Sequence, residues 1–337
     1  MLWYRTVRPY TSKKPLRKRN ARATVQSLFA LLMFLKILRP RTTGVAMRNH
    51  KRNNLVLPTV TYLQIGEKVR LGNQLFQIAS TIGLAEMHGY RWDFPTSIDH
   101  SSAGKLFRLR GHLLDSADYK VYKELTERHY SVTLPPLRSG ETLSLDGYFQ
   151  SHQYFSTSVE TLREFLVYPE RRLKRIRHRL PEVKSASTAV MHVRRGDYLR
   201  HGSKYNVLRP TYYREALSRL ERVDTVIIVT DDKAWCKKEL LPFLQHLQYK
   251  TILSPFSNEY DDFLLLALGK SIIIANSTFS WWAAFLRKVF PQLLHTDSPE
   301  AKVIAPLTWY NLTGEFAFLN REALFPEDWI TIENSSA

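Results

Sequence analysis

The sequence predicts an α/β protein built on parallel sheets, and three observations carry that prediction. Short apolar runs rich in β-branched residues, such as Thr188–Val193 and Thr225–Thr230, alternate with stretches of helical periodicity. Strands alternating with helices imply βαβ units. The apolar runs lack a polar face, as strands buried on both sides do. Charged and hydroxyl residues then cluster where these runs end, at the carboxyl side where open α/β sheets bind ligands.

The elements follow in order. Thr59–Ile65 reads as the first strand, 67–72 as a loop, and Asn73–His88 as a helix with Leu75, Phe76, Ile78, Ala79, Ile82 and Ala85 at helical spacing. Gly89 suits the stop of that helix. A strand at Tyr90–Phe94 and a less regular stretch to about Pro136 come next, then a strand at Leu143–Phe149. Glu160–Leu180 is helical and basic and reads as the connection between two domains, 59–180 and 181–337. The second half gives strands at Thr188–Val193, Thr225–Thr230, Lys250–Ser254, Ser271–Ala275 and Val303–Ile304. Helices at Pro210–Arg222, Asp232–His246, Asp261–Leu268 and Phe279–Phe290 separate the first four and follow the fourth. A chain of 337 residues accommodates two such domains.

The formal charge of +18 invites a nucleic-acid reading, but its distribution excludes it. Residues 1–66 hold fourteen Lys or Arg and no acid, which leaves 35 basic against 31 acidic residues in the remainder. The basicity belongs to the leader, and the folded part shows no interleaving of aromatic with basic residues. Residues 1–22 form a basic tail, and Ala23–Leu38 is a largely apolar run whose one charged residue is Lys36. Sixteen residues are short for a span of roughly 20; a lysine near the end can snorkel. A 22-residue basic segment is long for a signal peptide, so the run reads as an uncleaved single-pass anchor, with residues 39–58 as a flexible stem. Cys236 is the sole cysteine, so no intramolecular disulfide forms. No zinc spacing and no GxxxxGK[ST] loop occurs. The oligomeric state is open, and a homodimer is compatible.

Four polar clusters fall at strand ends. His192-Val193-Arg194-Arg195-Gly196-Asp197-Tyr198 ends the strand Thr188–Val193. Consecutive side chains on extended backbone point to opposite faces, so one arginine at most points straight into a given crevice. A guanidinium fork suits a phosphate, although an Arg–Asp pair that merely caps the strand is equally consistent. Arg70-Leu71-Gly72-Asn73-Gln74 precedes a helix, where backbone N–H groups favour an anion. Asn276-Ser277-Thr278-Phe279-Ser280-Trp281-Trp282 puts hydroxyls at another helix start, with the tryptophans read as core. Thr230-Asp231-Asp232 reads as a helix N-cap rather than a metal-binding pair. Together the clusters suit a nucleotide diphosphate held without metal.

These residues resemble the α-1,2-fucosyltransferase family. His192 to Tyr198 is similar to its signature, and Leu71 to Gln77, Gly147 to Ser151, Tyr212-Tyr213, Asp231-Asp232 with Trp235-Cys236-Lys237, and Ile274 to Trp282 agree in order. The resemblance runs from about Thr59 to about residue 310. It implies a GT-B-like fold, two Rossmann-like domains facing a central cleft. It also implies transfer of L-fucose from GDP-fucose to a hydroxyl, usually the 2-hydroxyl, of a galactose-containing glycan, with inversion and no metal or other cofactor. Arg194, Arg195 and Asp197 are the implied catalytic group. His192, Arg194, Arg195, Asp262, Ser277, Thr278, Ser280, Asn73 and Gln74 are the implied donor-binding set. Asp197 is the candidate base, and holding an arginine is its competing role. The tail, anchor and stem accord with a type II Golgi membrane protein, for which Asn311 and Asn334 are candidate N-glycosylation sites. Where the family has a glycine near position 69 or 70, this chain has Val69-Arg70. A glycan-binding or GDP-binding protein on a catalytically dead version of the same scaffold is the rival expectation.

Overall fold

The computed structural model describes residues 56–67, 69–110, 118–124, 133–293, 301–313 and 324–334. The tail, the anchor and all but the last three residues of the stem lie outside the described residues. Among the described residues no helix is long and apolar enough to cross a membrane.

Two sheets organise the body, and every ladder in both is parallel. The smaller comprises β1 (Thr59–Thr61), β2 (Arg91–Trp92), β3 (Lys120–Lys123) and β4 (Thr142–Asp146), in the order β2-β1-β4-β3. The larger comprises β5 (Thr188–Val193), β6 (Thr225–Thr230), β7 (Lys250–Leu253), β8 (Ser271–Ile273), β9 (Val303–Pro306) and β10 (Ile330–Ile332). Its order is β10-β9-β8-β5-β6-β7. The chain therefore winds outward from β5 through β6 to β7, and then outward on the other side from β8. The crevice between β5 and β8 is where such sheets bind ligands. In the smaller sheet β1 and β4 are the central pair, with β2 and β3 at the edges.

The α-helices are α1 (Leu71–Met87), α2 (Ser102–Phe107), α3 (Val159–Phe165), α4 (Glu170–Arg179), α5 (Pro210–Ser218), α6 (Lys233–Trp235), α7 (Leu241–His246), α8 (Glu259–Leu268) and α9 (Thr278–Val289). All six residues of β5 and all six of β6 are buried. Their side chains divide by parity. Val190, Ile227 and Val229 join the core that contains α8 and α9. Ala189, Met191, Val193, Val226 and Ile228 join a second core with α5 and α7. The apolar runs in the sequence are thus strands covered on both faces.

The first of these cores continues without a break into the smaller sheet. Phe76 on α1 lies 4.5 Å from the Trp281 ring on α9, and Phe155 stacks on Trp282 at 5.4 Å. Both tryptophans are fully buried, as their helical placement implies. Residues 55–337 form one compact unit, in which the two sheets share one core.

Several elements differ from the sequence reading. The helical pattern over 160–180 is two helices, since Pro169 offers no N–H and disfavours helical backbone at Tyr168. The pattern over 232–246 contains a π-helical stretch at Cys236–Leu240, where the Leu241 N–H donates to the Cys236 carbonyl. Pro242 in the next turn has no N–H for the ordinary ladder, which accounts for the slip. β1 stops at Thr61, and α1 starts two residues earlier than its apolar spacing suggests. Unexpected elements are α2, β3 and β10. The β3 strand is an edge strand, mostly exposed, so it carries no hydrophobic alternation to read.

Candidate functional site

A cleft of about 470 Å³ opens at the carboxyl ends of both sheets. Strand geometry decides which arginine enters it. Val190, His192 and Arg194 share one parity along β5, and both His192 and Arg194 line the cleft. Arg195 has the opposite parity. Its guanidinium lies over the Trp235 ring, 3.9 Å from the centroid, and its Nε donates to Asp232 at 3.3 Å. Arg195 is not among the residues lining the cleft, which corrects its expected place beside Arg194.

Arg194 is held from two sides. Its Nη2 donates to Asp197 at 2.6 Å, and its Nη1 sits 3.0 Å from Asp231 Oδ2. Its guanidinium also faces the Tyr198 ring at 5.3 Å, and the Tyr198 hydroxyl donates to the Asn276 carbonyl. The buried Nε of Arg194 has no hydrogen-bond partner among the described residues. A guanidinium braced by two carboxylates, with a donor left over, is pre-organised for an anion. Asp231 also accepts the Arg195 backbone N–H at 2.9 Å, so it fixes the turn after β5 as well as the arginine. Asp232 is the N-cap expected of it, accepting the Trp235 N–H. Asp197 lines the cleft while bound to Arg194, the arginine-holding role offered for it.

Two helix N-termini converge beside Arg194. Neither Arg70 at the start of α1 nor Ser277 at the start of α9 caps its helix with a side-chain hydrogen bond. The first-turn N–H groups of both therefore lack that internal partner, and both helix dipoles favour an anion. The helices abut at Gly72, where a Cβ would fall 2.4 Å from the Thr278 carbonyl carbon. Only glycine permits that approach. Val69, Arg70, Gly72, Asn73, Ser277 and Thr278 all line the cleft.

Besides Arg195, two expected donor-binding residues do not. Gln74 is buried, with Nε2 donating to the Val69 carbonyl and Oε1 accepting from the Ala103 N–H. Its amide secures the loop ahead of α1 instead of facing a ligand. Ser280 is fully buried and returns its hydroxyl to the Ala275 and Ser277 carbonyls. Both sit inside the first turn or so of a helix, where sequence proximity to a binding loop does not give access to it.

Beyond Arg194 one end of the cleft is lined by Lys233, Phe256, Asn258, Glu259 and Asp262. Burial pushes the Asp262 carboxyl up to about 6, against the opposing effects of the Ser254 hydroxyl that donates to it and of nearby Lys233. Lys233, which the sequence did not single out, donates to the Ser254 and Phe256 carbonyls and closes this end. Burial, aided by the Arg194 charge, drives His192 down to about 3, so its imidazole is neutral in the ordinary pH range. The other end is aromatic, lined by Tyr148, Tyr205, Trp309 and Tyr310 together with Gln150.

The two candidate glycosylation sites are alike, both half-buried. Asn311 donates to the Gly202 carbonyl and accepts from the Thr313 N–H and hydroxyl. Asn334 exchanges two hydrogen bonds with the Thr308 backbone, which occupy its amide. Asn276, formally in a third such triplet, is fully buried.

A ligand-sized cleft at the carboxyl ends of two parallel sheets, with one braced arginine between two helix N-termini, defines the candidate site of this α/β protein. The chain belongs to glycosyl transferase family 11, whose family model matches residues 43–333. Among its relatives is the O-antigen biosynthesis glycosyltransferase WbnK of Escherichia coli, 31% identical over 44% of this chain and 45% of the relative. An alpha-1,2-colitosyltransferase of Escherichia coli is 28% identical over 56% and 61% respectively. A galactoside 2-alpha-L-fucosyltransferase of Caenorhabditis elegans is 27% identical over 73% and 74%. The chain thus spans about half, three fifths and three quarters of these relatives.

Proposed function

We propose that this protein is an inverting galactoside α-1,2-fucosyltransferase using GDP-fucose. The observation that carries the proposal is Arg194, braced by Asp197 and Asp231 with its Nε unpartnered, at the meeting of two uncapped helix N-termini. Several relatives are named as galactoside 2-α-fucosyltransferases, which supports the sugar and the linkage. In the proposed reaction the galactose 2-hydroxyl oxygen bonds to the anomeric carbon of fucose. The bond from that carbon to the diphosphate oxygen breaks, and the electron pair leaves with GDP. Asp197 takes the hydroxyl proton. Arg194 and the helix N-termini meet the charge that develops on the diphosphate. Asp262 and Ser277 with Thr278 serve the donor from either side, and neutral His192 contributes a hydrogen-bonding group rather than a charge.

The chemistry proposed needs no metal. In support, the carboxylates nearest the leaving group are already paired, Asp197 and Asp231 with Arg194 and Asp232 with Arg195. The leader composition supports a single-pass type II Golgi protein with the body lumenal, in which Asn311 and Asn334 are the candidate glycosylation sites. The test is incubation of the full chain with GDP-fucose and a panel of galactose-, glucosamine- and fucose-terminated acceptors, with and without EDTA. Transfer to a galactoside that survives EDTA is the expected result. Absolute dependence on a divalent cation would overturn the metal-free mechanism. GDP binding without transfer to any acceptor would establish the dead-scaffold rival instead.

A further inference from the structure

Past Arg194 and Asp197 the cleft wall turns into a row of tyrosines. Tyr198 stacks on Tyr205 with centroids 4.2 Å apart and planes 10° apart. Tyr205 lies 6.0 Å from Tyr310 and pairs with it through an isolated antiparallel bridge. The Tyr310 hydroxyl donates to Gln150 Oε1, and Gln150 Nε2 donates to Asn73 Oδ1, which ties the row to the start of α1. Tyr148 completes the row and is half exposed. Burial raises the Tyr205 hydroxyl, and Tyr148 and Asp197 lie near enough to add to that effect. The row therefore runs outward from the groups that face the diphosphate.

Tyr148 stays at the cleft because the turn beneath it is held by side chains on both sides. Phe149 is in the left-handed region at φ 49°, and Gly147 sits at φ 154°. A non-glycine residue in that region is sustained only where its surroundings over-determine it, and such residues cluster at functional sites. Glu124, one residue beyond β3, accepts the Tyr148 N–H at 2.6 Å and the Phe149 N–H at 2.7 Å through the same oxygen. A Cβ at Gly147 would fall 2.4 Å from Glu124 Cβ, so the glycine is what lets the carboxylate in. From the opposite side the Tyr62 hydroxyl and Gln77 Nε2 donate to the Gly147 carbonyl, and the Ser80 hydroxyl donates to that of Phe149. Nothing in packing alone calls for four side chains to fix a turn whose one projecting residue is exposed.

An exposed aromatic face with a polar tip, at the mouth of a cleft, suits a pyranose. The axial hydroxyl of a galactose leaves its opposite face a continuous patch of C–H groups, and its remaining hydroxyls reach phenol and amide groups. We propose that Tyr148, with Tyr205 and Tyr310, is the subsite on which the acceptor sugar stacks, and that Glu124 is the positioning residue that holds Tyr148 there. This rests on the transferase reading above and adds to it the residues that bind the acceptor.

The experiment is initial-rate kinetics on the full chain with GDP-fucose and phenyl β-galactoside, alongside calorimetry with GDP. Tyr148→Ala is expected to raise the acceptor KM about tenfold, in line with the loss of one aromatic contact, with donor KM and GDP affinity unchanged. Tyr148→Phe should restore the acceptor KM, since the ring and not the hydroxyl stacks. Glu124→Ala should raise the acceptor KM as Tyr148→Ala does, and Glu124→Gln should recover part of it because its amide oxygen still accepts. An unaltered acceptor KM in Tyr148→Ala, or donor and acceptor KM rising together, overturns the subsite while leaving the transferase standing. A lowered melting temperature in Glu124→Ala without a change in acceptor KM reduces Glu124 to a structural residue and overturns its positioning role. If the unsubstituted chain transfers no fucose, the function falls and the subsite with it.

Discussion

The six-stranded sheet delivers Arg194 to the cleft through backbone alternation along a strand buried on both faces, whereas the four-stranded sheet delivers Tyr148 through a turn held by four separate side chains. The first arrangement needs only period two and a covered sheet. The second needs Glu124, Tyr62, Gln77 and Ser80 to converge from β3, the loop after β1 and α1. The difference teaches where each side is vulnerable. At Arg194 a substitution acts where it is made, while at Tyr148 it acts through whichever residue holds the turn.

The sharpest way to break that comparison is at the arginine pair. Arg194→Lys should lower kcat about 100-fold or more, the loss typical of one pre-organised oxyanion donor, because a point charge cannot replace the fork. Arg195→Lys should leave kcat within a few-fold, since Arg195 stacks on Trp235 outside the cleft. Equal losses in steady-state assays of the two would show that parity does not govern the site. Next in size is Gly72→Ala, whose Cβ meets the Thr278 backbone. Overpacking of this kind costs about 1–3 kcal/mol, and separating the two helix ends should weaken GDP binding as well. Thermal unfolding with calorimetry reads both, and a variant with unchanged melting and affinity would dissociate the helix ends from the anion site.

The smallest effect expected is a pH dependence at the nucleotide end. The Asp262 carboxyl sits at about 6, above the ordinary carboxylate value, so it is largely ionised at pH 7.5 and loses its charge as the pH falls through 6. If its ionised form accepts hydrogen bonds from the donor, GDP affinity falls on acidification, approaching tenfold per pH unit below 6. Asp262→Asn should flatten that profile between pH 5 and 7.5. A profile identical in both proteins removes Asp262 from donor binding.

Much of the donor side was legible in sequence. The buried strands β5 and β6 announce themselves as apolar runs of the observed length, and the polar clusters after β5 and β8 contribute His192, Arg194, Asp197, Ser277 and Thr278 to the cleft. The misplaced residues, Gln74 and Ser280, are those next to binding residues on a helix. There 100° of rotation per residue turns a neighbour inward, and an apolar pattern does not report it. The tyrosine-lined end of the cleft was less legible. β3 is a four-residue edge strand with little burial, and Tyr148 stood in a recognisable motif without a sign of what holds it.

The sequence by itself determined the parallel α/β architecture, the separation of a basic leader from a balanced body, and the strand end on which an anion site is built. Those follow from local periodicity and from where charge sits along the chain. Only the tertiary structure decided that Arg194 and not Arg195 enters the cleft, that α1 and α9 meet at Gly72, and that Glu124 holds the turn under Tyr148. Each of those depends on which surfaces face one another once residues dozens to hundreds of positions apart are packed, and no local pattern records it.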